Sequence, residues 1–171
     1  MPAFSKEAYE MYDKKAKTAV RAHLDRKGIF TNVYEDYGPD IQAVLIEEKN
    51  IMHGHLSFHE VEVKVSWKDE WPEHWKTLHI PARKRKHLNL PFKKSGCFWV
   101  LNESCTKAKV VVGHDLKDEY LENIPNVRSP KGEYFFSIPI ELTSEVILKG
   151  DGVLLTNRVP APNPPDLADN G

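Results

Sequence analysis

The chain has 171 residues, with 24 Lys and Arg against 25 Asp and Glu, and a formal net charge of −1. That length predicts one domain, and 7 Phe, 4 Trp and 6 Tyr give it material for a core, which excludes a wholly disordered chain. No run approaches the ~18 apolar residues of a membrane span and MPAFSKEAYE has no apolar signal core, so a cytoplasmic, intracellular protein with no membrane partner is expected, acting at the nucleoid if DNA is its partner.

Phe4 to Arg26 reads as one amphipathic helix, with Ala8, Met11 or Tyr12, Ala16, Ala19 or Val20 and Leu24 at helical spacing. Ser5 is its N-cap candidate and Gly28 its stop. Ile29 to Glu35 is β-branched and aromatic enough for a strand. Tyr37-Gly38-Pro39 is a turn, and Asp40 to Ile46 a second strand. Leu56 to Trp67 is a long strand in which Val61, Val63 and Val65 alternate with Glu60, Glu62, Lys64 and Ser66. Residues 68–94 look irregular and highly charged. Phe98 to Leu101 and Lys109 to Val112 look like paired strands, and Asp115 to Glu122 like a short helix. Tyr134 to Ile140 and Glu145 to Leu148 are further strands. The tail from Val159 holds 4 of the 12 prolines and is expected to be disordered. Cys97 and Cys105 lack C-x-x-C spacing, so they form neither a zinc knuckle nor a disulfide scaffold.

Pro39-Asp40 opens one strand and Glu62-Val63-Lys64 lies in the next. Residues two apart on a strand share a face, so Glu62 and Lys64 point the same way. A hairpin would bring Asp40 opposite that pair. Two converging carboxylates suit a hard divalent cation such as Mg²⁺, which polarises a phosphate and acidifies a bound water. An adjacent ammonium can orient that water or offset charge building on the phosphate. Such a set suits phosphodiester hydrolysis.

Pro39-Asp40 … Glu62-x-Lys64, preceded by a helix, a Gly and a strand, resembles the PD-(D/E)xK nuclease superfamily. The resemblance covers Lys6 to Ser66, with weaker support to Val112. It implies an α/β (α+β) restriction-endonuclease-like fold, with a mixed central sheet flanked by helices and extra C-terminal β elements. The expected organisation is one nuclease domain over residues 1–158, with a core at 4–113, added recognition or dimerisation elements at 114–158, and the tail at 159–171. The implied activity is a Mg²⁺-dependent DNA endonuclease, selective for sequence or structure in the manner of restriction, homing or junction-resolving enzymes, with Mn²⁺ able to substitute. The resemblance makes Asp40 and Glu62 metal ligands, the Val63 carbonyl a third ligand and Lys64 the catalytic lysine. Gln42, on the face of Asp40, is a further candidate for contact with the phosphate or a water.

Many members also carry an acidic ligand in the first helix, about three turns before the Gly. Here that position is Lys17, a cation; Asp13 and Glu10 lie one and two turns earlier as substitutes, with Glu7 beyond them. Glu60, on the face of Glu62, either fills that role or is a solvated rim residue.

His53, His55 and His59 lack the spacing of a zinc site and read as a polar hairpin tip near substrate. Arg83 to Lys94, RKRKHLNLPFKK, has six Lys or Arg and no acid. The DNA-contact candidates are therefore Lys68, Arg83, Lys84, Arg85, Lys86, Lys93 and Lys94. Trp67, Trp71 and Trp75 recur at a spacing of four and read as core or dimer packing rather than base stacking. Cutting both strands of a duplex needs two active sites, so a homodimer or higher symmetric assembly is expected. The competing classes are a non-catalytic nucleic-acid-binding module on the same fold and an unrelated α+β interaction protein carrying the motif by chance.

Overall fold

A computed structural model describes residues 5–26, 29–33, 40–45, 55–90, 94–125, 130–148 and 155–156. Helix α1 spans Lys6–Arg26 and starts on Ser5, whose Oγ accepts the Ala8 N–H at 3.3 Å, as an N-cap does. Its buried stripe is Ala16, Val20, His23 and Leu24, one side of a 3.6-residue repeat.

Among the described residues ten strands follow in two sheets. They are β1 (Ile29–Val33), β2 (Ile41–Leu45), β3 (His55–Lys64), β4 (Thr77–Pro81), β5 (Lys94–Asn102), β6 (Lys107–Val112), β7 (Leu121–Ile124), β8 (Glu133–Pro139), β9 (Ser144–Ile147) and β10 (Leu155–Thr156). The larger sheet runs β1-β2-β3-β5-β6-β9-β10 and the smaller β4-β8-β7. All pairings are antiparallel except β3 with β5. The chain is thus a mixed α/β protein of two sheets and few helices, compatible with an α+β class.

Alternation along β5 divides the core. Cys97, Trp99 and Leu101 pack with Val61, Ile41 and the stripe of α1. Phe98 and Val100 pack instead with Leu78 and Ile80 of β4, Phe136 and Ile138 of β8, and Leu88. The large sheet is therefore covered by α1 on one face and by the small sheet on the other, and two-residue periodicity sends neighbouring side chains into separate cores.

The stretch that reads as irregular in sequence is ordered over residues 68–90: β4 leads into a 3-10 turn, Ala82–Lys84, and a single helical turn, α2 (Arg85–Leu88). Gly96 and Gly113 let that turn sit close, since a Cβ on either would come within 2.3 and 1.8 Å of Leu88 backbone atoms. The expected helix at 115–122 is instead two 3-10 turns, Gly113–Asp115 and Asp118–Tyr120, followed by β7. Strands β8 and β9, from the part read as added elements, pair with β4 and β6. Among the described residues no helix is long and apolar enough to cross a membrane. The Pro-rich tail lies outside the described residues.

Candidate active site

Strand β2 covers only the first half of β3: Ile41 pairs with His59 and the ladder ends there. Beyond it, Val61 to Lys64 pair with β5 on one side, and among the described residues the other edge is open. Asp40 caps this edge, its Oδ2 accepting the Val61 N–H at 2.7 Å. Because that N–H faces the open side, the two-residue alternation turns the Val63 carbonyl the same way. The edge forms the floor of a cleft of about 770 Å³, walled by the first turns of α1, by Asp40, Glu62 and Val63, and by Arg83 and Lys84 from the 3-10 turn.

Register decides which groups meet. Continuing the β2–β3 ladder places Asp40 opposite Glu60, not opposite Glu62 and Lys64 as the hairpin expectation had it. Glu60 is 1% exposed, so the reading of a solvated rim residue is corrected. Its Oε2 accepts from Lys84 Nζ at 2.6 Å, while Oε1 is buried with no hydrogen-bond partner and has His87 Nδ1 at 3.9 Å. Burial, with the Asp40 carboxylate adding to it, pushes the Glu60 pKa up to about 7 against the pull of Lys84. Glu62 keeps solvent contact through the cleft although protein surrounds it densely. Burial also raises its pKa, opposed by Lys64, Lys84 and Arg83 and reinforced by Asp40. Carboxylates thus crowd one end of the cleft at an electrostatic cost that a cation would relieve.

One cation is already supplied. Lys17 Nζ lies 2.8 Å from Asp13 and 3.3 Å from Asp40 Oδ1. Burial alone would lower the Lys17 pKa, but the two carboxylates outweigh it and the net shift is upward. Of the two helix candidates, Asp13 reaches the cleft, whereas Glu10 pairs with Lys6 at 3.7 Å on the exposed side of α1.

Lys64 shares the face of Glu62 but rests over the Trp75 ring, 4.9 Å from its centroid. That ring is fixed by the loop after β3, where Trp67 N–H donates to the Lys64 carbonyl and Trp71 Nε1 to the Trp75 carbonyl. The three tryptophans form successive edge-to-face contacts at 5.1 Å rather than one helix face; Trp67 is fully buried and the other two are half-buried. Gln42 sits half-buried between Asn32 and Phe58 in the sheet and is not part of the cleft wall.

The basic run is matched by distant acids. Arg83 pairs with Glu133, Lys84 with Glu60, and Arg85 with Asp118 at 2.5 Å, while Lys68 pairs with Glu103 at 2.5 Å. Lys86 is exposed. Lys93 lies outside the described residues, and Lys94 is described only as the first residue of β5. His53 is likewise outside them, and His59 is no hairpin tip. It is buried, with Trp99 Nε1–H donating to its Nδ1 at 3.0 Å. That bond makes Nε2 the protonated nitrogen, which donates to Ser57 Oγ at 2.9 Å. Burial holds the ring neutral, with a pKa of about 3, and the nearby His23 adds to the shift.

Sequence reasoning missed the depth of Glu60 and the reach of Lys84. The only signal for either was the register set by Asp40. Among the described residues no group of three or more His, Cys, Asp and Glu could hold a metal, so ligation there would need a backbone carbonyl and waters besides carboxylates. The sequence matches no protein-family model and no curated protein.

Proposed function

We propose that the chain is a Mg²⁺-dependent DNA endonuclease of the PD-(D/E)xK kind, built on a restriction-endonuclease-like version of this α+β fold and acting as a homodimer. The observation that carries this reading is Asp40, fixed at the entrance to β2, sharing one cleft with Glu62 at an open strand edge toward which the Val63 carbonyl is turned. The donors fit a single hard cation: all are oxygens, the Asp40 carboxylate helps to raise the pKa of both Glu60 and Glu62, and a buried Glu60 oxygen lies nearby without a hydrogen-bond partner.

Asp40, Glu62 and the Val63 carbonyl would hold the ion. When bound, Mg²⁺ supplies Lewis acidity to a phosphate oxygen and lowers the pKa of a coordinated water. Lys64, exchanging its Trp75 contact for the cleft, would orient the attacking water and offset charge on the phosphate. Arg83 and Lys84, at the opposite wall, would take flanking phosphates by giving up Glu133 and Glu60.

A second reading, a non-catalytic nucleic-acid-binding module, is favoured by the lysines already lodged on Asp40 and Glu60. The two are separated by incubating the protein with linear, supercoiled, branched and flap DNA and with RNA, in Mg²⁺ or EDTA. Asp40→Asn and Lys64→Ala are expected to lower Mg²⁺-dependent cleavage by about 10²–10³-fold or more while leaving DNA retention in a gel shift unchanged. Cleavage at the parental rate in either variant removes that residue from the mechanism. Retention without cleavage by the parent protein establishes the second reading.

A further inference from the structure

Two places beside the cleft carboxylates are open to comparison as cation positions. One is the open edge beside Glu62, where no cationic side chain lies within ion-pair distance of its carboxylate among the described contacts. The other lies on the α1 side of Asp40, where the Lys17 ammonium sits between two carboxylates, 2.8 Å from Asp13 and 3.3 Å from Asp40 Oδ1. Lys17 is 16% exposed and stands in the middle of α1, on the helix turn after Asp13. Its stem is therefore held by the helix and its head by both acids, in the position of a bridging ion.

Resting on the nuclease reading, we propose that Lys17 permanently takes the place of a second divalent cation, so that the cleft binds one metal ion per chain and not two. Asp40 is then held at both oxygens, Oδ1 by Lys17 and Oδ2 by the Val61 N–H, and is aimed before any ion arrives. Lys17 is a positioning residue. Its charge also lowers the repulsion that Asp13 and Asp40 would otherwise exert on each other, so the pair needs no second ion for balance. A dication brought to the α1 side would meet the ammonium head-on: like charges at close range in a partly buried site are strongly unfavourable.

The test is a count of bound Mn²⁺ per chain by calorimetric titration and by loss of the free-ion paramagnetic resonance signal, with no reaction involved. The parent protein is expected to bind one equivalent. Lys17→Glu places three carboxylates on the α1 side and is expected to bind two. Asp13→Asn added to Lys17→Glu should lower affinity for the second ion at least tenfold, leaving the first unaffected. Two equivalents on the parent protein overturn the role of Lys17 while sparing the nuclease reading. So does one equivalent on Lys17→Glu that keeps its circular dichroism and its affinity for the first ion. No binding to the parent protein removes the metal site itself, and with it both the nuclease reading and the role of Lys17.

Discussion

Glu60→Gln tests whether the buried carboxyl beside Asp40 carries the electrostatic load that its surroundings imply. The folded pKa of Glu60, about 7, lies above its ordinary value of 4.5. Below pH 4.5 the group is neutral in both states, and its contribution to stability is then complete. As pH rises toward 7 the unfolded chain ionises while the folded one keeps its proton, and stability falls by about 1.4 kcal/mol per pH unit. Between pH 5 and pH 8.5 that comes to about 2–3 kcal/mol, toward the lower end once the solvent that reaches Lys84 is allowed for. His59 works in the opposite sense. Its pKa is depressed to about 3, so the stability of its neutral form is full above pH 6.5 and is lost as pH falls toward 3. The parent protein's own pH profile is thus a sum of opposed terms, and the difference between variant and parent isolates Glu60. Urea unfolding followed by tryptophan fluorescence at several pH values gives that difference. Glu60→Gln should gain about 2 kcal/mol on the parent from pH 5 to pH 8.5. A difference that stays flat across this range would mean that Glu60 is neither buried nor crowded by Asp40.

Two further substitutions probe the scaffold that holds the cleft. Gly96→Ala drives a methyl to within 2.3 Å of the Leu88 backbone, so α2, which follows the turn bearing Arg83 and Lys84, must move; a loss of about 2–3 kcal/mol is expected from overpacking, and an unchanged urea midpoint would refute the close approach. Trp99→Phe removes the donor to His59 Nδ1 and leaves a void in a fully buried position, so about 2–4 kcal/mol should be lost. A change below 0.5 kcal/mol, on the scale of an ordinary surface substitution, would show that the Trp99–His59 bond contributes nothing.

What could be read in the sequence was whatever depended on local period. Ser5 followed by a helical apolar stripe gave α1, and the Val61, Val63, Val65 alternation gave β3, because both patterns lie within one element. Strand β4 was not legible. Its five residues, TLHIP, follow a Trp-rich loop and run into the basic segment, and they become a strand by pairing with β8, Thr77 opposite Pro139. Nothing near Thr77 announces a partner some sixty positions away. The candidate site was half legible for the same reason. Glu62 and Lys64 share a face by strand geometry alone, whereas the meeting of Asp40 with Glu60 depends on the β2–β3 register.

Of the 24 basic and 25 acidic side chains, those of the basic run are balanced by pairing across the fold. Arg83, Lys84 and Arg85 are contiguous and acid-free in sequence, yet each meets a carboxylate from a different element: Glu133 of β8, Glu60 of β3 and Asp118 before β7. A phosphate arriving at these three cations would have to displace carboxylates already in place. For the exposed pairs of Arg83 and Arg85 that exchange is close to neutral, since surface ion pairs contribute little. For Lys84 it is different, because its departure leaves Glu60 buried without its cation. Binding at this wall is therefore coupled to the acid centre. Whatever draws Lys84 away must be accompanied by a proton or a cation at Glu60, and the nearest place for that charge is the cleft shared by Asp40 and Glu62.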